Sequence, residues 1–270
     1  MRSTIVIFVL TFAILGLMLG ISESFDPGAN NALEPAVMDI ENRIAGYVQA
    51  MQASAELAEV KSTGNLTSIS TDQMGIPQNE DQGKRGVARQ VLADNPEFES
   101  IFFLTPAGDV YLGEPFEQQE QLPRLNYADR DWYLGANSTG KAYVSAVFMS
   151  AAINAPAIAV AVPVRADGAI VGYWVSIVDL GDFTARLADI GGEARVLLVD
   201  HIGIEIADTG NANQTDELRS HASLQSVQRA LSGESGTLTE GFDGVEMTAT
   251  YAPVDANPNT WAVVFLEPTS

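Results

Sequence analysis

Arg130, Trp132 and Tyr133 stand together in the segment Asp129-Arg130-Asp131-Trp132-Tyr133. A guanidinium offers a planar fork of donors that matches a carboxylate. An indole N–H and a phenol O–H add directional donors beside apolar ring faces. The same residues admit a plainer arrangement, with Arg130 paired to Asp129 or Asp131 at the surface and both rings in the core. Tyr127, three residues before Arg130, can share a helical face with it. Residue type and spacing leave both arrangements open.

Other chemistries fare worse. The chain has no cysteine, which excludes thiol catalysis, thiolate metal sites and disulfides. His201 and His221 are the only histidines, and no HExxH pattern occurs, so no metal site is expected. The segment around Ser235, GESGT, misses the nucleophile-elbow pattern at its last glycine. Asp129 and Asp131 are candidates for acid–base work, but close neighbours in a loop rarely converge, and no nucleophile–base–orienter set accompanies them. The expectation is a non-catalytic protein without a cofactor. Acidic residues outnumber basic ones 35 to 14, for a net charge of -21. That field repels a polyanion, and no basic stripe interleaves with aromatics, so nucleic acid is not an expected partner. A solvated surface suited to a salty medium accounts for the charge.

The elements that must position these residues follow from hydrophobic patterning. Ile5 to Ile21 is an apolar run without a charge, about 25 Å long as a helix. Arg2 precedes it, and Glu23 and Asp26 follow. The positive-inside rule keeps Arg2 in the cytoplasm and sends the rest outward. LGISES is a poor cleavage site, so residues 1–24 are expected to be a transmembrane anchor rather than a signal peptide. The expected address is the inner membrane, single-pass, with the globular part periplasmic or extracellular. Residues 25–75 are predicted to hold a long amphipathic helix and a loop. Leu33, Val37, Ile40, Ile44, Val48, Met51, Ala55 and Ala58 recur at spacings of three and four. That stripe lies either along the modules that follow or in a homodimer seam.

A second helix is predicted over Asp81 to Ala93, and strand patterns then dominate. SIFFLTPAGDVYLGE reads as strand, turn, strand. AYVSAVFM, PAIAVAVPV and AIVGYWVSIVDL follow, with a hairpin turn at Asp167-Gly168. RVLLVDHIGIEIAD repeats the plan. Phe102-Phe103-Leu104 aligns with Leu197-Leu198-Val199, an offset of 95 residues, and Val162-Pro163-Val164 with Ala252-Pro253-Val254, an offset of 90. Gly172-Tyr173-Trp174-Val175 falls near Thr260-Trp261-Ala262-Val263. One architecture used twice is the simplest reading. Each copy is a hairpin, a helical insert and a three-stranded meander, an α+β arrangement of two tandem PAS-like modules with antiparallel sheets. The modules are expected over 76–182 and 183–270.

The run DRDWYLGANSTGKAYVSAVFMS, with PAIAVAVPVRADGAIVGYWVSIVDL after it, resembles the membrane-distal half of a double Cache sensor domain. VLLVDHIGIEIAD and TYAPVDANPNTWAVVFLEP resemble its membrane-proximal half. These are extracytoplasmic ligand-binding domains of bacterial chemoreceptors and sensor kinases. The resemblance implies small-molecule sensing, with a conformational signal passed through the N-terminal helix. In the amino-acid-binding branch, residues at the positions of Arg130, Trp132 and Tyr133 grip the ligand carboxylate. Residues at the positions of Phe148, Ser150 and Ile177 hold its ammonium. None of the three here can neutralise an ammonium, and an unpaired buried charge costs several kcal/mol. The implied ligand is therefore an organic carboxylate rather than an α-amino acid. The candidate ligand-binding set is Arg130, Trp132, Tyr133, Tyr127, Phe148, Ser150 and Ile177. Trp174 and Tyr143 read as structural, and Asp200 as a turn cap. The alternative is a non-catalytic periplasmic scaffold with a degenerate pocket.

Overall fold

The computed structural model describes residues 27–64, 66–151, 154–211 and 217–269. The apolar run Ile5–Ile21, and with it the expected anchor, lies outside the described residues. Among the described residues no helix is long and apolar enough to cross a membrane.

Helix α1 spans Pro27–Ala55. Leu33, Ala36, Ile40, Ile44, Tyr47, Val48, Met51 and Ala55 are buried along one stripe. The predicted stripe departs from this at its end. The helix stops at Ala55 and restarts as α2, Ala58–Lys61, so Ala58 turns outward and Val60 takes the buried place. Helix α3, Gln82–Asp94, starts at Asp81, whose side chain accepts from the Lys84 backbone N–H at 3.1 Å.

The N-terminal sheet comprises β1 (Phe98–Leu104), β2 (Val110–Glu114), β3 (Tyr143–Val144), β4 (Phe148–Ser150), β5 (Ala155–Ala166) and β6 (Ala169–Asp179). Its order is β2-β1-β6-β5-β3, with β4 also paired to β5, and every pairing is antiparallel. Helices α4 (Phe116–Glu120) and α5 (Asp131–Thr139) form the insert. Helix α6 (Gly181–Gly191) leads to the C-terminal sheet of β7 (Arg195–Val199), β8 (Glu205–Asp208), β9 (Gly236–Phe242), β10 (Val245–Ala256) and β11 (Asn259–Pro268). Helix α7, Gln225–Leu231, is its insert. The order β8-β7-β11-β10-β9 repeats that of the first sheet, hairpin beside last strand.

The ladders put the repeat into register. Phe103 pairs with Trp174, and Leu198 with Val263. Pro163 pairs with Tyr173, and Pro253 with Ala262. Offsets of 95 and 90 therefore hold for the first and penultimate strands. The last strand is displaced by one position from the sequence alignment, so Trp174 corresponds to Val263 and Gly172 to Trp261. A Cβ on Gly172 would come within 2.3 Å of the Phe103 ring. The first sheet spends this volume on Phe103 and Trp174, and the second on Trp261.

Helix α1 packs against β5 and β6 of one sheet and β10 and β11 of the other. Ile158, Val160, Val162 and Trp174 join Ala252, Val254, Trp261 and Val263 in one core beneath it. Trp174 is structural, as expected; it is fully buried and its indole N–H donates to Ser54 Oγ at 3.0 Å.

Two buried cations fix the segment between α1 and β1. Lys84 Nζ donates to the carbonyls of Glu59, Val60 and Ser62 at 2.8, 2.7 and 3.0 Å, closing the C-terminal end of α2. Arg85, fully buried, donates to the carbonyls of Glu80, Gly113 and Ile76 and to the side chains of Glu114 and Gln119. Desolvation pulls the Lys84 ammonium down from 10.5 to about 8, against the opposing pull of Asp81. Between those values the unfolded chain binds more protons than the folded one, so this group makes stability rise with pH across that window. Lys84→Met should abolish the rise and lower stability near neutral pH by about 1–3 kcal/mol, because three carbonyls lose their donor. Urea denaturation of both proteins at several pH values checks it.

Candidate functional site

The two faces of the N-terminal sheet differ in side-chain size. Strand β5 alternates, so Ile158, Val160 and Val162 face α1 while Ala157, Ala159 and Ala161 face the other way. On that second face the alanines lie in rows with Val175 and Ile177 of β6 and Phe102 and Ser100 of β1. Tyr127, Trp132, Tyr133 and Ala136 cover it. The corresponding face of the C-terminal sheet carries Met247 and Tyr251 where the first has Ala157 and Ala161, and α7 closes over it with Val227 and Ala230. The first sheet has a floor of small residues, while large side chains fill the second.

The start of α5 sets the polar end of this face. Arg130 is its N-terminal flanking residue and extended in backbone, and Gly140 ends the helix with φ of 62°. The two neighbouring carboxylates are engaged elsewhere. Asp129 accepts from Arg124 Nη2 and Nη1 at 2.7 and 2.9 Å. Asp131 accepts from the Tyr143 hydroxyl at 3.0 Å and from the Ala146 backbone N–H at 2.8 Å. Arg130 has no ion-pair partner among the described residues. Its guanidinium carbon lies 5.6 Å from the Phe148 ring centroid and 5.9 Å from that of Tyr127.

Rings build the cover. Tyr127 stacks on Trp132 at 6.3 Å and 24°. Trp132 meets Tyr133 edge-on at 6.5 Å, and Tyr133 meets Tyr173 at 4.8 Å. The Tyr127 hydroxyl is buried with no hydrogen-bond partner among the described residues, and burial pushes its phenol above the usual range. Tyr133 donates its hydroxyl proton to the Pro106 carbonyl at 2.7 Å, in the β1–β2 turn. It therefore presents a ring to the site while its hydroxyl holds the hairpin.

Of the residues singled out in sequence, Arg130, Tyr127, Trp132, Tyr133 and Phe148 form one contact group. Ile177 lies in the floor, paired with Ala159 and Ser100. Ser150 lies at the end of β4, opposite Ala155 and buried. Phe148 pairs with Ala157, which pairs with Asp179. Asp179 is an acidic residue on this face, and its Oδ1 accepts from the Gly181 N–H at 2.7 Å. The direction of Tyr143 is set by a break in its strand. An unbroken strand would put it opposite Phe148, but Ser145–Val147 interrupts the strand, so Tyr143, opposite Ala161, lies on the same face. Sequence reading weighed Asp131 only as a partner of Arg130 or an acid–base candidate, and it missed Tyr173 and the alanine floor. The floor had a signal, since PAIAVAVPV alternates small with branched residues.

The family model of the Cache domain matches residues 22–270. The chain belongs to the double Cache family. Among curated protein sequences nothing matches. Solved structures share the fold. The ligand-binding domain of the Pseudomonas aeruginosa PAO1 amino acid chemoreceptor PctB, in complex with L-Arg, has a TM-score of 0.63 at 16% identity, covering 89% of this chain and 93% of that one. The ligand-binding domain of the Pseudomonas fluorescens chemoreceptor CtaA, in complex with L-isoleucine, has a TM-score of 0.66 at 15% identity, covering 90% and 93%. An extracellular ligand binding receptor from Desulfohalobium retbaense DSM5692 reaches 0.67 at 10% identity, covering 90% of this chain; this Cache chain spans only 40% of that one.

In this double Cache chain the Tyr133 hydroxyl has a structural duty. Tyr133→Phe should cost about 1 kcal/mol of stability and raise hydrogen exchange around Pro106–Gly108, with the site rings kept in place. Urea denaturation with amide exchange measures both.

Proposed function

We propose that this double Cache chain is an extracytoplasmic small-molecule sensing domain whose N-terminal sheet binds an organic carboxylate through Arg130. One observation carries the reading. Arg130 stands half-buried between two aromatic rings without an acidic partner among the described residues, while Asp129 and Asp131 are held by other groups. A guanidinium so placed can take a carboxylate in a bidentate pair. In this reading a short apolar body lies over the alanine floor, among Trp132, Tyr127 and Phe148. Phe148, Ser150 and Ile177 supply no charge for an α-ammonium, which favours a carboxylate without one. The relatives bound to L-Arg and L-isoleucine support small-molecule binding by this fold.

The signal would leave through α1, which rests on the opposite face of β5 and β6 and touches the C-terminal sheet as well. A ligand shifts that arrangement only by its differential affinity for two states. In this reading Ile5–Ile21 anchors the chain in the inner membrane, the globular part is periplasmic, and α1 is available for a homodimer. The second reading is a scaffold with a degenerate site, which predicts no small-molecule ligand.

A thermal-shift screen of the purified full chain with acetate, propionate, butyrate, alanine and 4-aminobutyrate tests the proposal. Amine-free acids should raise the midpoint and alanine should not. Arg130→Ala should weaken any hit by about tenfold or more, the loss of a charge-assisted pair. Hits that persist unchanged in that variant would remove Arg130 from the site. A response to 4-aminobutyrate but not butyrate would assign Asp179 to a distant ammonium.

A further inference from the structure

Asp200 is fully buried in the turn between β7 and β8. Its Oδ1 accepts from the Ile202 and Ile204 backbone N–H groups at 2.9 and 2.8 Å, which is all the turn needs. The duplicated fold supplies the control. The corresponding residue of the first sheet is Thr105, whose single Oγ1 accepts from the Ala107 and Asp109 N–H groups at 3.3 and 3.2 Å. One acceptor atom closes the same turn there. The second oxygen of Asp200 does something Thr105 does not do: it crosses to the other sheet and accepts from the Val147 N–H at 2.7 Å.

Val147 is flanked by two residues tied to the candidate site. The preceding amide, Ala146, donates to Asp131 at the start of α5. The following residue, Phe148, holds its ring against the Arg130 guanidinium. Adjacent amides of one short segment therefore bind carboxylates from opposite directions, one on the helix that begins beside Arg130, the other on the C-terminal sheet. The segment is also tied at Val144, whose N–H donates to the Asn257 carbonyl at 3.0 Å and whose carbonyl accepts from Asn259 Nδ2 at 2.8 Å. Both asparagines belong to the β10–β11 turn region.

We propose that Asp200 is a positioning residue for the Arg130 site: it fixes the Tyr143–Phe148 segment from the second sheet and makes ligand affinity depend on that sheet. This rests on the reading that Arg130 binds a carboxylate. The apolar part of the site is set by where Phe148 lies, and Phe148 is attached to the amide that Asp200 holds. A rearrangement at Arg130 that moves Ala146 and Val147 pulls on the β7–β8 turn, and a shift of that turn pulls back.

Two substitutions separate this duty from turn closure. Asp200→Asn keeps one oxygen for Ile202 and Ile204 but presents an amide to Val147. Asp200→Thr reproduces the arrangement at Thr105. Both are made in the full chain and followed by amide hydrogen exchange and by titration with butyrate. Exchange at Ala146 and Val147 should rise about tenfold or more, the loss of one charge-assisted hydrogen bond, while Ile202 and Ile204 keep their protection. Butyrate affinity should fall about fivefold or more. Unchanged exchange at Val147 would overturn the proposal. So would an equal rise through β10 and β11, which marks a residue serving only its own sheet, or a localised rise with unchanged affinity. If none of the screened carboxylates binds the unsubstituted chain, the carboxylate reading falls, and the exchange measurements still decide whether Asp200 holds the segment.

Discussion

The pleat of β5 is the constraint on which the rest of the architecture depends. A strand sends alternate side chains to opposite faces. Here that alternation sorts residues by size as well as direction. The branched side chains meet α1 and merge with those of β10 and β11 into one core. The alanines face away, and nothing on their own strand fills the space above them. With β6 it fastens the N-terminal sheet to the long helix, and it turns only small side chains to the reverse face.

Duplication makes the consequence visible. Both sheets have the same strand order and both rest on α1, so what distinguishes them lies on the face away from that helix. Replacing Ala161 by Tyr251 and Ala157 by Met247 fills the second sheet with its own side chains, and the short α7 can pack directly on top. The first sheet is covered by a longer and more varied insert, whose rings contact one another and whose helix begins beside Arg130. Paired turns diverge in the same manner. Thr105 closes one, while Asp200 closes the other and has an oxygen left to reach across.

Much of this was legible in the sequence because it rests on periodicity. The stripe of α1, the hairpin turns and the repeated strand order follow from spacing and turn residues, and all appear. What was hidden depends on contacts between distant segments. Nothing in the local sequence marks Lys84 and Arg85 as interior, yet both are fully buried, since carbonyls of α2 and the loop before α3 converge on them. Tyr143 changed face because three residues interrupt its strand, and no local signal marks that break. The proposed carboxylate role of Arg130 comes from family resemblance, not from spacing. Whether Arg130 was already paired depended on Arg124 and Tyr143, which are placed by tertiary structure.

The proposed anion site in so acidic a chain needs a local explanation. The net charge of -21 repels a carboxylate at long range. Salt screens that repulsion beyond about 10 Å, so the immediate neighbours decide. Most of the scarce arginines are committed: Arg43 to Glu97 and Asp182, Arg85 and Arg89 to Glu114, Arg186 to Asp39, and Arg195 to Asp208 and Asp243. Arg124 belongs with these, but its commitment has a second effect. By binding Asp129 bidentately it neutralises a carboxylate directly beside Arg130. Asp131, on the other side, is turned toward the Tyr143 hydroxyl and the Ala146 amide. The same interactions that order the start of α5 therefore engage both adjacent carboxylates, and Arg130 is left without an ion-pair partner among the described residues.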